Sequence, residues 1–274
     1  MPAFEQKINR LHQILDELDK VVVAFSGGVD STFLLKMAID HLGRDRVLAI
    51  TADSETYPLR EKEEAINIAK LLNANHQIIH TSELDIPGYA ENTANRCYFC
   101  KNSLFEHLIP IAQELGYKHV VFGAIADDLG EHRPGLQAAH HRGVRAPLLE
   151  AGIKKSEIRH LSRKLGLPTW DKPSFACLAS RIPYGEKITA RKLSMIDQAE
   201  DFLIQLGFRQ VRVRQHENLA RIEIEPNDFA ELLAVAETVH VKLQEIGYAY
   251  VTMDLKGYRS GSMNEVLTAA EKAQ

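Results

Sequence analysis

The sequence predicts an α/β protein: an amino-terminal domain, residues 1–185, built on a mainly parallel sheet, and a smaller α+β domain, residues 186–274. Three observations carry this reading. Short all-apolar runs alternate with helix-period segments as far as Pro168, the pattern of doubly buried strands joined by crossover helices. After Pro183-Tyr184-Gly185 the character changes to strand-period alternation framed by helices. A chain of 274 residues also has the length of two domains at roughly 150 residues each.

The elements follow in order. Ile8, Leu11, Leu15 and Leu18 recur at helical spacing. Val21–Phe25 is apolar and β-branched, a buried strand. Ser26-Gly27-Gly28-Val29-Asp30-Ser31 is a turn, and Thr32–Leu42 a helix closed by Gly43. Arg46–Thr51 is the second strand. The helix that begins at Pro58 carries Glu61, Glu63 and Glu64 near its start, where the helix dipole favours them. His76–His80 and Val120–Phe122 are strands three and four, with a helix around Cys100–Leu115 between them that Pro110 is expected to kink or split. Lys154–Leu165 is a helix stopped by Gly166 and Pro168. In the second domain Ala190–Leu206 is helix, Val211–Arg214 and Ala220–Glu225 are strands, Asp228–Ile246 is one helix, and Tyr248–Leu255 closes as a strand.

With 45% hydrophobic and 26% charged residues, the chain has the composition of an ordinary globular protein, not of a disordered or collagen-like one. No run reaches the ~18 apolar residues of a membrane span. The first residues lack the basic flank and apolar core of a secretory signal, so a cytoplasmic protein is expected. Lys and Arg number 33 against 37 Asp and Glu, a net charge of −4; this acidic excess argues against a nucleic-acid partner. Three cysteines fit a reducing compartment.

The turn after the first strand carries the chemistry. Gly27 and Gly28 let backbone approach an anion closely, and the following helix aims its unpaired N–H groups there. Ser26 and Ser31 add hydroxyl donors, and Asp30 is placed to hold Mg²⁺ against phosphate oxygens. The loop is neither a Walker A motif nor a dinucleotide fingerprint. Asp127, in the acidic pair after the fourth strand, is a candidate to assist Asp30, and Arg133 to clamp phosphate. Arg212 and Arg214, two apart on a strand, share a face on which two guanidinium forks suit a carboxylate or phosphate. Glu200 and Glu223 are weaker acidic, metal-binding candidates.

The loop resembles the PP-loop of the ATP pyrophosphatase superfamily, which includes NAD and GMP synthetases and tRNA thiolases. That resemblance implies an adenine nucleotide alpha hydrolase-like fold, use of ATP with Mg²⁺, and transfer of AMP to an oxygen that a nucleophile then displaces. More of the chain resembles the LarE-type sulfur transferases of nickel-pincer nucleotide synthesis. The matching stretches are Ala24–Leu35, Arg133–Leu136, Ser180–Gly185, Val211–Arg214 with Ala220–Glu223, and Tyr250–Leu255 with Tyr258–Gly261. The resemblance implies an anionic pyridinium mononucleotide as substrate, a homo-oligomer, and Ser180, Arg181, Arg212 and Arg214 as substrate-binding residues. A tRNA thiolase or an amidating synthetase of the same superfamily remains the alternative.

Single-cysteine LarE proteins consume one cysteine as the sulfur donor, and Cys177 stands in the corresponding segment. Here Cys97-Tyr98-Phe99-Cys100 is added. The three cysteines read as ligands of a [4Fe–4S] cluster, as a redox pair beside an independent nucleophile, as part of a zinc site, or as unconnected thiols; the resemblance to cluster-dependent thiolases favours the first. Lys101 and Arg181, close in sequence to Cys100 and Cys177, would supply cations at the transferred sulfur.

Overall fold

The computed structural model describes residues 2–129, 134–173, 176–259 and 261–265. The chain forms two compact units. The first comprises Met1–Ser54, Arg60–Thr81 and Cys97–Ser174; the second comprises Glu55–Leu59, Ser82–Arg96 and Phe175–Gln274. Pro183-Tyr184-Gly185 lies within the second unit, which also draws in two segments from the first half of the chain.

In chain order the first unit is built from α1 (Pro2–Leu18), β1 (Val21–Ala24), α2 (Val29–Leu42), β2 (Val47–Asp53), α3 (Leu59–Leu71), β3 (Asn75–His80), α4 (Arg96–Glu114), β4 (His119–Phe122), α5 (Pro134–His141), α6 (Pro147–Glu150) and α7 (Lys155–Lys164). Its strands form the expected parallel sheet, in the order β3-β2-β1-β4. Val21 of β1 stands opposite Val47 of β2 and His119 of β4. Because successive strand side chains alternate between faces, Val21 and Val23 pack with Leu11, Leu15, Phe33 and Ile158 on one side. Val22 packs with Phe105, Leu108 and Val120 on the other. Both faces are covered, which is why β1 reads as an unbroken apolar run.

Pro110 neither splits nor ends its helix: α4 runs from Arg96 to Glu114 with the proline inside. Phe105, Leu108 and Ala112 are buried on either side of it, so packing against the sheet outweighs the ~3 kcal/mol that an interior proline costs. The short helices α5 and α6 fall outside every element expected from periodicity. Among the described residues, no helix is long and apolar enough to cross a membrane.

The chain leaves β1 for β2 and β3 on one side and reaches β4 on the other. In open α/β sheets such a reversal opens a crevice at the carboxyl ends of the two strands that flank it. Here these are the ends of β1 and β4.

The second unit contains α8 (Ala190–Gln205), β5 (Val211–His216), β6 (Leu219–Ile224), α9 (Phe229–Ala234), α10 (Ala236–Ile246) and β7 (Tyr250–Met253). Thr189 caps α8 by accepting the Lys192 N–H at 3.3 Å. The sheet runs β5-β6-β7, antiparallel in its first pair and parallel in its second. Leu203, Val213, Ile222, Leu243 and Tyr248 fill its core. The single helix expected over Asp228–Ile246 is two, because Val235, at φ −110° and ψ 15°, leaves the helical region between α9 and α10.

Candidate active site

The Ser-Gly-Gly-Val-Asp-Ser loop sits at the β1 side of the crevice. Gly27 takes φ +63°, and a Cβ there would lie 2.9 Å from the Cα and Cβ of Ala65 in α3. Gly28 is the N-cap of α2 and makes no side-chain cap, so first-turn N–H groups stand ready for a ligand. The loop holds itself in shape. Ser31 Oγ accepts the Ser26 N–H at 3.3 Å, donates to the Gly28 carbonyl at 3.3 Å, and lies 3.2 Å from Ser26 Oγ.

Long-range partners fix the loop further. Lys172 Nζ donates to the Gly27 carbonyl at 3.3 Å and pairs with Glu61 at 2.7 Å and Glu64 at 2.8 Å. Arg159 donates to the carbonyls of Trp170 and Lys172, both at 2.8 Å, and so positions the segment that carries Lys172. On the β4 side, a Cβ on Gly123 would lie 2.9 Å from the Ser31 nitrogen. Gly123→Ala is therefore expected to push the loop off its seat, raising the dissociation constant for ATP about tenfold or more and costing about 1–3 kcal/mol of stability from overpacking. Calorimetric ATP titration checks this; an unchanged constant would mean that the loop does not depend on the close approach.

Asp30 lies in the first turn of α2. Its Oδ2 accepts from Lys155 Nζ at 2.5 Å, while its Oδ1 is buried and finds no hydrogen-bond partner among the described residues. Burial pushes its carboxyl above the ordinary range, and Lys155 pulls the other way. An unsatisfied buried carboxylate oxygen beside uncapped helix N–H groups suits a hard divalent cation bridging to phosphate. Asp127 accepts the backbone N–H of Lys155 at 2.8 Å through Oδ2, and Asp128 accepts that of Ile125 at 3.0 Å. Arg133 lies outside the described residues.

Cys97, Cys100 and Lys101 occupy the first turns of α4. Cys97 and Cys100 are three apart and Lys101 four beyond Cys97, so they share one helix face. Gly135 of α5 leaves room for the Lys101 stem: a Cβ there would lie 3.0 Å from Lys101 Cγ. Cys97 is exposed and Cys100 half-buried. Cys177, also half-buried, belongs to the second unit. Within neither unit do three His, Cys, Asp or Glu side chains among the described residues form a group that could hold a metal ion.

The second unit gathers the remaining candidates into a buried ionic network. Arg181 and Glu200, both wholly buried, form a bidentate pair at 2.8 and 2.9 Å, and Glu200 also accepts the Val213 N–H at 3.0 Å. Arg181 Nη1 reaches the carbonyls of Ala176 (2.5 Å) and Cys177 (2.9 Å) and the Ser180 hydroxyl (2.9 Å). Burial alone would raise the Glu200 carboxyl, but Arg181, Arg212 and the Val213 amide pull it down to about 2. Arg212 lies 5.4 Å above the Tyr258 ring; burial and the neighbouring Arg181 lower its guanidinium to about 10. Arg214 binds Glu223 at 2.7 Å, Ser262 Oγ at 2.9 Å and the Ser180 carbonyl at 3.1 Å. Glu223 also takes Arg221 at 3.3 Å. Glu200 and Glu223, named from the sequence as metal candidates, are thus the counter-ions of arginines.

Sequence reasoning missed Gly123, Lys155, Arg159 and Lys172. No motif marks them, since each meets the loop only through the fold. Gly123, directly after an apolar run that reads as a strand, left the one usable signal: glycine where backbone passes close.

A parallel sheet with this loop at its switch point defines a nucleotide site of the PP-loop ATP pyrophosphatase class. The NAD synthase family model matches residues 4–97. Over its whole length the chain is 40% identical to pyridinium-3,5-bisthiocarboxylic acid mononucleotide synthase of Lactiplantibacillus plantarum, covering 99% of that protein. It is 48% identical over 96% of its length to an uncharacterised Synechocystis protein, 99% of which is covered. An uncharacterised Methanocaldococcus jannaschii protein is 30% identical over 94% of this chain and 99% of its own. The chain belongs to the LarE family of ATP-dependent PP-loop sulfur transferases.

Proposed function

We propose that this enzyme adenylylates a carboxylate of pyridinium-3,5-biscarboxylic acid mononucleotide and replaces the activated oxygen with sulfur. The observation that carries the reading is the loop with its orphaned Asp30 oxygen, in a chain similar over its full length to a synthase of the corresponding bisthiocarboxylate. The substrate carboxylate attacks the α-phosphorus of ATP and pyrophosphate leaves with the electron pair of the broken P–O bond. The acyl carbon of the resulting acyl adenylate is then attacked by sulfur, and AMP leaves, giving a thiocarboxylate. Adenylylation is needed because a bare carboxylate oxygen is a poor leaving group.

In this reading the α2 amides, Ser26 and Ser31 bind the β and γ phosphates and leave the α-phosphorus open. Asp30 would hold Mg²⁺, which would supply positive charge to the departing pyrophosphate. Arg212 and Arg214, with Ser180, take the anionic substrate. Lys101 and Arg181 hold negative charge at the sulfur. Cys97, Cys100 and Cys177 would ligate a [4Fe–4S] cluster; such a cluster ordinarily takes four thiolates, so three, two of them on one face of α4, would leave one iron free for a sulfide. When bound, it would hold a sulfide supplied from solution, and that sulfide would be the nucleophile that displaces AMP. A second reading, in which Cys177 itself is the donor, is supported by the Arg181 guanidinium, which holds the Cys177 carbonyl at 2.9 Å and so brings a cation beside that residue. We place the enzyme in the cytoplasm as a homo-oligomer.

The experiment is a turnover with Mg²⁺, ATP, sulfide and the biscarboxylic mononucleotide, using anaerobic, iron-loaded protein. AMP and pyrophosphate are the expected products, with Cys177 intact by mass spectrometry. ADP and phosphate would overturn the mechanism. Cys177 lighter by one H₂S, with full activity retained in a Cys97→Ala, Cys100→Ala double variant, would overturn the cluster and leave Cys177 as donor.

A further inference from the structure

Lys155 stands 125 positions from Asp30 in sequence, yet the fold brings the first turn of α7 beside the first turn of α2 and sets the two side chains 2.5 Å apart. The backbone and the ammonium of this residue are held very differently. Its N–H is pinned by Asp127 Oδ2 at 2.8 Å, and the preceding N–H, of Lys154, by Glu157 at 2.8 Å. Its side chain is 35% exposed, on a four-carbon stem. The backbone is fixed by hydrogen bonds, while the ammonium sits at the end of a flexible stem that can carry it to another partner.

Asp30 is in the reverse position: its carboxylate is mostly buried, with one oxygen on Lys155 and the other unsatisfied among the described residues. A buried carboxylate without a counter-ion is costly, and Lys155 supplies one. A divalent cation arriving at Oδ1 would place two cations on one carboxylate, and their repulsion would loosen the lysine. The nearest new negative charge would then be the phosphate chain of the nucleotide, which the uncapped α2 terminus draws to the same spot.

We propose that Lys155 is a place-holding cation: it neutralises Asp30 in the nucleotide-free enzyme, yields that carboxylate to the divalent cation, and turns to a phosphate oxygen of bound ATP. The proposal rests on the reading of Asp30 as the Mg²⁺–ATP ligand. Lys155 is here a binding residue for the nucleotide, not only a stabilising ion pair.

The roles separate in binding experiments on the full chain. Wild type, Lys155→Met and Lys155→Arg are titrated with Mn²⁺ alone, and separately with α,β-methylene-ATP in saturating Mg²⁺. Removing the competing cation should tighten Mn²⁺ about fivefold in Lys155→Met. Losing a charge-assisted phosphate contact should weaken the nucleotide about tenfold or more in the same variant. Lys155→Arg, which keeps the charge, should keep nucleotide affinity near wild type. These opposite signs are the signature. If Lys155→Met weakens both ligands together, Lys155 merely props Asp30 and the proposal is overturned; unchanged nucleotide affinity also overturns it. If wild type itself binds neither Mn²⁺ nor the analogue, the nucleotide site has been misread, and the proposal falls with it.

Discussion

Asp30→Ala is expected to slow the formation of AMP and pyrophosphate by about three orders of magnitude, equivalent to ~4 kcal/mol of transition-state stabilisation. On the proposed reading the carboxylate would act through the Mg²⁺ it holds, whose charge would offset the negative charge that builds on the departing pyrophosphate. The fold should survive, because Lys155 is partly exposed and can turn its ammonium to water when its partner is gone. Pyrophosphate release and thermal unfolding, measured side by side, check both halves. A variant that turns over at the wild-type rate would remove Asp30 from the chemistry. One that unfolds would show the ion pair to be structural.

Glu200→Gln should act in the opposite way, on stability first. Arg181 and Glu200 are each fully buried, and removing one charge of such a pair leaves the other without compensation, at a cost of about 3–5 kcal/mol. The acid dependence follows from the same pair. The Glu200 carboxyl lies near 2 in the folded protein against 4.5 as its ordinary value. The folded value is depressed, so the stability it contributes is complete above about 4.5 and is lost as the pH falls from there towards 2. Denaturant titrations across that window should show a steep loss of stability in the wild type and a flatter one in Glu200→Gln. An equally steep loss in the variant would assign the acid sensitivity to other carboxylates. Arg181 also holds the carbonyls of Ala176 and Cys177. A charge-free replacement of both partners would thus restore stability without restoring the position of the cysteine backbone.

Local signals fixed much of this architecture. The apolar triplet Val21-Val22-Val23, the two loop glycines and the spacing of Leu11, Leu15 and Leu18 are each determined within a few residues, and β1, the PP-loop and α1 are where those signals place them. The departures are two: α4 is not split at Pro110, where packing against the sheet holds it together, and the helix expected over Asp228–Ile246 breaks at Val235. At the site, Ser26, Gly27, Gly28, Asp30 and Ser31 were legible because they are contiguous. Lys155, at a helix start, and Lys172, in a loop, were not, since a lysine in either place reads as a solvated charge until the fold shows what it faces. Arg212 and Arg214 were legible as a same-face pair; that Arg214 already binds Glu223 was not, because the diagonal contact depends on the register of β5 against β6.

The way the second unit is assembled bears on how the chain is made and how it can be cut. Asn92 is wholly buried and donates through Nδ2 to the carbonyls of Ile182 (3.2 Å), Pro183 (2.7 Å) and Glu186 (3.1 Å). Those acceptors leave the ribosome some ninety residues after Asn92 does. Every strand of the parallel sheet has by then been synthesised, as far as Phe122, while the stretch around Asn92 still awaits its partners. A gene fragment starting at residue 186 would fare worse, since it would carry Glu200 without Arg181, an unpaired carboxylate at the centre of its own core. The boundary that looks natural along the chain therefore separates groups that cannot be buried apart, and productive dissection would have to keep residues 82–96 and 175–185 with the carboxyl-terminal half.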